Sequence, residues 1–150
     1  MSVWKPAVTV AAVIENEGRF LFVEEEADGR RVLNQPAGHL DPGESLLHAV
    51  AREVLEETAH RFVPGALVGV YRWHDPLTDG TFLRFAFRGV SSGRDEGRAL
   101  DPEILALHWL TPQELAARRA MHRTALVERC LADYLAGKNY PLELLSREYA

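Results

Sequence analysis

The sequence predicts an α/β fold in which a mixed β-sheet is sandwiched by helices. Three observations favour this class: several apolar, β-rich runs separated by turn residues, one helix-forming segment inserted among them, and helix signals near the carboxyl end. With 150 residues and 47% hydrophobic composition, the chain is long enough to bury one sizeable core. We therefore expect a single domain over residues 1–150.

Runs of β-branched and aromatic residues, bounded by Gly, Asn and Asp, predict six strands. They cover residues 7–14, 20–24, 32–35, 67–73, 81–88 and 106–110. Residues 15–18 and 28–29 form turns between the first three strands, and residues 75–80 close a hairpin-like pair. Residues 91–100 are typical of a loop.

The strongest helix signal covers residues 45–58, which contain no Pro or Gly. Ser45 is the expected N-cap because it follows turn-forming residues. Apolar residues of this helix fall on one face, and three glutamates lie on roughly the opposite side: Glu53, Glu56 and Glu57. A capping box that begins at Thr111 predicts a second helix, and a final one is expected over residues 123–135.

The three glutamates predict a metal site. Side chains three and four apart on a helix have Cβ atoms about 5–6 Å apart, and two like charges at about 5 Å cost roughly 3 kcal/mol at an effective dielectric of about 20. A hard divalent cation removes this repulsion, since Mg²⁺ prefers oxygen ligands and Mn²⁺ accepts the same ones. We expect Mg²⁺, with Mn²⁺ as the alternative. The competing interpretation is a solvated acidic face with Arg52 as an exposed charge partner.

The helix lies within a longer pattern, Gly-x5-Glu-x7-Arg-Glu-Val-x-Glu-Glu, which runs from Gly38 to Glu57. This pattern resembles the Nudix box, the signature of metal-dependent hydrolases that cleave nucleoside diphosphates linked to another group. The resemblance implies the Nudix fold with its catalytic loop–helix–loop. It also implies an ion pair between Glu44 and Arg52 that fixes the loop, and a catalytic role for Glu53 beside its metal-binding one.

Gly38 would let the backbone approach the substrate phosphates or adopt a conformation barred to other residues. The end of the box departs from the family pattern, which has Gly and an aliphatic residue where this chain has Ala59 and His60. If the φ angle of Ala59 is positive, alanine costs about 1 kcal/mol or less there. We expect His60 to interact with the helix C-terminus, with metal ligation as the alternative.

Segments outside the box look like the NudJ-type phosphatases of this family. They are Trp4-Lys5-Pro6, Val8-Thr9-Val10, Val23-Glu24-Glu25, Asn34-Gln35-Pro36-Ala37-Gly38-His39-Leu40, Phe82-Leu83-Arg84-Phe85 and Tyr140-Pro141-Leu142-Glu143. This resemblance implies stepwise release of orthophosphate from nucleoside tri- and diphosphates, and hydrolysis of hydroxymethylpyrimidine pyrophosphate. The alternatives are a MutT-type pyrophosphohydrolase, a nucleoside-diphosphate-sugar hydrolase, and a non-catalytic nucleotide-binding module. Because all four box glutamates are present, we favour catalysis.

Hydrolysis needs an activated water, and a carboxylate outside the box could serve as its base or hold another metal. Glu103 is the candidate and Asp101 its rival; a surface position is the alternative for both. Arg84 either clamps a substrate phosphate or pairs with an acid on the sheet.

Four further positions have two interpretations each, and one has an open role. Trp73 and Tyr71 either stack on a base or belong to the core or rim. Arg30 and Arg31 either reach the phosphates or remain exposed in a loop. His39 lies in the NudJ-like run and is expected near the site, with no assigned role.

Composition limits the partners. With 22 acidic and 17 basic residues the net charge is −5, which disfavours nucleic-acid polymers and leaves a phosphorylated small molecule as the expected substrate. The single Cys130 excludes an intramolecular disulfide and is typical of a reducing cytoplasm. The apolar run at residues 8–14 is too short to span a membrane. We expect a soluble cytoplasmic protein, either a monomer or a homodimer.

Overall fold

The computed structural model describes residues 2–146 of the chain. Within this range, eight strands form two four-stranded sheets. The first sheet has the order β5 (Ala37–His39), β1 (Ala7–Val13), β7 (Thr81–Ser91) and β6 (Phe62–His74). It is mixed, since β1 and β7 run parallel while the pairs β1–β5 and β6–β7 are antiparallel.

The second sheet is antiparallel and is built around β3 (Arg19–Ala27). This strand pairs with β2 (Glu15–Asn16), β4 (Arg30–Asn34) and β8 (Ile104–Leu110). The helices are α1 (Leu46–Thr58), α2 (Pro112–Ala117) and α3 (Leu126–Leu135), with 3-10 turns at Arg119–Met121 and Leu142–Leu144. No helix among residues 2–146 is long and apolar enough to cross a membrane.

Two apolar cores flank the sheets, because alternate side chains of one strand point to opposite faces. On β1, Val10 and Ala12 belong to the core that packs against α1, whereas Ala11 and Val13 belong to the core that packs against α2 and α3. The mixed first sheet and the antiparallel second sheet are sandwiched by helices, which confirms the predicted α/β fold class. The fold therefore places α1 on one side of the sheets and α3 on the other, and both helices border the cleft described below.

All six predicted strands are present, and several extend further than the sequence pattern indicated. Strand β6, for example, begins at Phe62 rather than at residue 67, and α3 begins at Leu126 rather than at residue 123. Strands β2 and β5 were not predicted, because two and three residues are too few to show alternation. The register of β6 and β7 confirms the predicted hairpin.

Both ends of α1 have defined caps. Ser45 is the N-cap, and its side chain accepts a hydrogen bond from the His48 amide. Ala59 forms the C-cap with φ of 57° and ψ of 21°, so alanine does occupy a left-handed conformation there. Beyond it, the ring Nδ1 of the buried His60 lies 2.8 Å from the Thr58 carbonyl oxygen, and the ring packs edge-on against Trp109. His60 thus completes the helix end and is not part of the cleft lining.

Candidate active site

A cleft of about 470 Å³ lies between the end of α1, the first sheet and the segment that leads into α3. Eight carboxylates line it: Glu25, Glu26, Asp41, Glu53, Glu56, Glu57, Asp101 and Glu103. Two arginines, Arg84 and Arg123, and two aromatic residues, Trp73 and Phe82, complete its charged and planar surfaces. Such an acidic cavity attracts cations and, through them, phosphate groups.

The predicted ion pair between Glu44 and Arg52 is present and bidentate. Arg52 donates from Nε to Glu44 Oε2 at 2.7 Å and from Nη2 to Glu44 Oε1 at 2.9 Å. The Arg52 hydrogen bonds lower the pKa of Glu44 to about 2, and the same contact raises the pKa of Arg52. Arg52 also donates to the His39 carbonyl oxygen at 3.0 Å, so one guanidinium joins the loop, β5 and α1.

Glu57 does not lie on the open face of α1, as the helical periodicity suggested, but is only 5% exposed. Its carboxylate accepts a hydrogen bond from the Ala37 amide at 2.9 Å. Burial raises its pKa to about 9, and the nearby carboxylates of Glu25 and Glu53 act in the same direction. A cation in the cleft would favour the ionised form of this carboxylate.

Gly38 has a close contact that the sequence did not indicate. Its φ angle is not in the left-handed region, so conformational freedom is not what the position demands. A Cβ at this position would overlap the Glu53 carboxylate, which packs directly on the glycine. Burial raises the pKa of Glu53, while Arg52 donates to its carboxylate at 2.9 Å.

The remaining predicted acids also face the cleft. Glu56 accepts a hydrogen bond from Arg52 Nη1 at 3.3 Å. The Asp101 amide donates to the Glu56 carbonyl oxygen at 2.9 Å, which ties the loop before β8 to α1. Burial raises the pKa of Asp101, and the charges of Glu103 and Glu56 reinforce the shift. Glu103 lines the same cleft, so both rivals for the loop carboxylate reach the site.

Sequence reasoning missed Glu25 and Arg123. Glu25 lies on β3, is 7% exposed, and accepts a hydrogen bond from Arg123 Nη1 at 2.6 Å. The available signal for Glu25 was a run of three glutamates, residues 24–26, at the end of a strand whose preceding residues are apolar. Arg123 offered none, because its position depends on the Leu33 carbonyl oxygen, which accepts from its amide.

Arg84 is buried on β7 and pairs with no acid among residues 2–146, contrary to one of the two interpretations. Its Nη1 donates to Gln35 Oε1 at 3.0 Å and its Nη2 to Asn34 Oδ1 at 2.9 Å. Sequence reasoning did not single out these two amides for a role. The guanidinium therefore lines the cleft with neutral partners only.

Of the aromatic and histidine candidates, Trp73 and His39 line the cleft and Tyr71 does not. Trp73 lines the cleft opposite its cross-strand partner Phe82, and His39 packs against Phe82 with ring centroids 6.3 Å apart. Tyr71 instead packs against the core and donates to Asp133 at 2.7 Å, so it does not face a ligand.

Arg30 and Arg31 are not part of the cleft lining either. Arg30 Nη1 donates to the Ala120 carbonyl oxygen at 3.2 Å, and Arg31 Nη1 donates to Glu24 at the same distance. Both arginines lie on β4 and not in the loop in which the sequence analysis had placed them. That they reach substrate phosphates stays a prediction.

The donor set fits a hard divalent cation, because the cleft collects carboxylate oxygens in excess of positive charge. Among residues 2–146, no three side chains of Asp, Glu, His or Cys are arranged so that they could hold a metal ion without moving. Arg52 explains this in part, since its Nη1 holds both Glu53 and Glu56. Glu53, Glu56 and Glu57 would hold the ion after these side chains turn toward it.

Comparison with known proteins agrees with this geometry. The model of the NUDIX domain matches residues 4–130. Phosphatase NudJ of Escherichia coli strain K12 is 38% identical over 143 residues, which cover 95% of this chain and 92% of the relative.

Solved structures give the same result. A NUDIX hydrolase from Nitrosomonas europaea superimposes with a TM-score of 0.94 at 50% identity, over 97% of this chain and 99% of that one. The MutT protein from Methanosarcina mazei Go1 reaches 0.74 at 27% identity, over 92% of this chain and all of that one. Since these matches extend over nearly the whole chain, the protein belongs to the Nudix family and is an enzyme that hydrolyses phosphoanhydride bonds.

Proposed function

We propose that the enzyme removes orthophosphate from nucleoside tri- and diphosphates, and from hydroxymethylpyrimidine pyrophosphate, with Mg²⁺ as cofactor and Mn²⁺ as a substitute. The observation that supports the proposal most directly is the cleft itself, in which eight carboxylates face a buried arginine and an aromatic wall. The 38% identical relative named Phosphatase NudJ supports the choice of product. We further propose that residues 1–150 act as one domain.

The proposed roles follow from the contacts. Glu53, Glu56 and Glu57 hold the divalent cation, which when bound lowers the pKa of a coordinated water and polarises phosphoryl oxygens. Glu53 also serves as a catalytic residue, and Glu103 or Asp101 accepts the proton of the attacking water. Glu44 and Arg52 keep the loop and α1 in register through their bidentate pair. Arg84 binds the substrate. Gly38, which has no side chain, leaves room for the Glu53 carboxylate.

Pyrophosphate release would instead identify a MutT-type pyrophosphohydrolase. The decisive assay incubates the protein with Mg²⁺ and GTP, GDP, ATP or hydroxymethylpyrimidine pyrophosphate, and measures orthophosphate and pyrophosphate separately. Orthophosphate formed directly, and abolished by a chelator, would support the proposal. If all four compounds remain intact, nucleoside diphosphate sugars are the next substrates to assay.

We also propose a cytoplasmic location, which the free and buried Cys130 thiol supports. Monomer or homodimer stays a prediction, which light scattering on the purified protein would decide.

Gly38→Ala should lower turnover by about 10–100-fold, because the new methyl group displaces the Glu53 carboxylate from its position. Gly65→Ala is the matched control, since a Cβ there meets no atom closer than 3.8 Å and Gly65 does not line the cleft. Steady-state kinetics on both variants, with circular dichroism to verify folding, makes the test. Equal activities would contradict the assigned role of Gly38.

The raised pKa of Glu57 predicts a pH dependence of stability in metal-free protein. Its folded pKa of about 9 exceeds the ordinary glutamate pKa of 4.5, so folding favours the protonated form. The stabilisation is complete below about pH 4.5 and is lost as the pH rises through 9, with a change on the order of a few kcal/mol. Glu53 and Asp101, whose pKa values are also raised, act in the same sense.

Urea unfolding with a chelator at pH 5, 7 and 9 should therefore show falling stability for the wild type and a flatter profile for Glu57→Gln. The lowered pKa of Glu44 affects the free energy of unfolding only below about pH 4.5, which is outside this range of pH. The same variant should keep its fold and lose most Mg²⁺-dependent turnover. Unimpaired turnover would remove Glu57 from the metal site, whereas parallel pH profiles would refute its raised pKa.

Glu103→Gln and Asp101→Asn should separate the two loop acids. The residue that accepts the proton should lose about 100-fold or more in kcat when its carboxylate becomes an amide. The other acid should change turnover much less, and it acts as the internal control because both side chains line the same cleft. A loss below about tenfold in both variants would exclude both from proton transfer.

A further inference from the structure

The Arg84 guanidinium is a buried positive charge of the cleft that no carboxylate of the described residues pairs with. The residue is 7% exposed, and its side chain donates only to Gln35 Oε1, Asn34 Oδ1 and the Cys130 sulfur, the last at 3.8 Å. Within residues 2–146, no carboxylate lies within ion-pair distance of it. A full positive charge is therefore buried among neutral acceptors.

Burying a charge without a counter-ion is much less favourable than burying it with one. The contrast with Arg52 is direct, since that guanidinium contacts Glu44, Glu53 and Glu56. Eight carboxylates line the cleft and none pairs with Arg84. An anion that enters the cleft would supply the missing negative charge.

The two amides present their oxygens to the Arg84 guanidinium. Gln35 is 1% exposed, and its Nε2 donates to the Val127 carbonyl oxygen on α3 at 2.7 Å. That bond fixes the amide so that Oε1 faces Arg84. Asn34, the last residue of β4, holds the second terminal nitrogen of the guanidinium. Amide oxygens can hold the guanidinium plane in place without neutralising its charge.

We propose that Asn34 and Gln35 are positioning residues that hold Arg84 uncompensated, so that it binds a phosphoryl group of the substrate. Arg84 pairs in register with Thr9, and Thr9 with His39, so two strand spacings of about 5 Å separate its backbone from β5. Glu53 and Glu57 contact that strand at Gly38 and Ala37. The Arg84 backbone thus lies two strands away from the strand that the proposed cation ligands contact. The inference about Asn34 and Gln35 rests on the proposed function.

The test is the affinity for AMP, which has a phosphoryl group but no phosphoanhydride bond and so binds without turnover. Asn34→Asp is nearly isosteric and places a carboxylate on Arg84. Calorimetry with Mg²⁺ present should show AMP binding weakened at least about tenfold relative to the wild type. The matched control, Asn16→Asp, adds the same charge on exposed β2 and should bind AMP like the wild type.

Gln35→Glu should act in the same direction, and Asn34→Ala, which removes an acceptor without adding charge, should have a smaller effect. For hydrolysed substrates, Asn34→Asp should raise KM far more than it lowers kcat. A purely structural role would lower the melting temperature and leave AMP affinity unchanged in the folded variants. That result, or an equal loss of adenosine and AMP affinity, would overturn the proposal.

Failure of the proposed function has a different signature. If the wild type cleaves no phosphoanhydride yet binds AMP more tightly than Asn34→Asp does, the assignment of Arg84 stands and the substrate proposal falls.

Discussion

The site depends on the docking of α1 onto the short strand β5. Three consecutive residues of β5 each receive one functional side chain: the Ala37 amide donates to Glu57, Gly38 accommodates the Glu53 carboxylate, and the His39 carbonyl oxygen accepts from Arg52. Because the strand is fixed by its antiparallel pairing with β1, the helix inherits its position from the sheet. A shift of one residue along β5 would separate all three contacts at once.

Docking also explains how so many carboxylates coexist in one cleft. Arg52 neutralises part of the cluster through Glu44, Glu53 and Glu56, while burial favours the protonated form of Glu57. In the metal-free protein, the Arg52 guanidinium and the raised pKa of Glu57 thus both reduce the repulsion between the carboxylates. A divalent cation would take over both effects, because it stabilises ionised carboxylates and would compete with Arg52 for Glu53 and Glu56.

The sequence was sufficient for the fold class, the six longer strands and the caps of α1, because each depends on local periodicity or capping chemistry. It also placed Glu53, Glu56, Asp101 and Glu103 at one site. It could not show that Glu57 is buried or that Gly38 is needed for packing, because both depend on β5, which is too short to leave a pattern. Glu25 and Arg123 escaped for a related reason: their pairing joins residues 98 positions apart.

Arg52 and Arg84 lie in opposite electrostatic surroundings. Arg52 is surrounded by acids, and its charge is used within the protein to hold the loop and helix together. Arg84 is held by two amides, of which Gln35 is fixed by α3, and we propose that its charge binds a ligand. The chain segment from Asn34 to His39 contacts both guanidinium groups, at Asn34 and Gln35 on one side and at His39 on the other. The proposed cation-binding end and the proposed phosphate-binding end of the cleft therefore share contacts with one continuous stretch of six residues, and a displacement of that stretch would disturb both ends together.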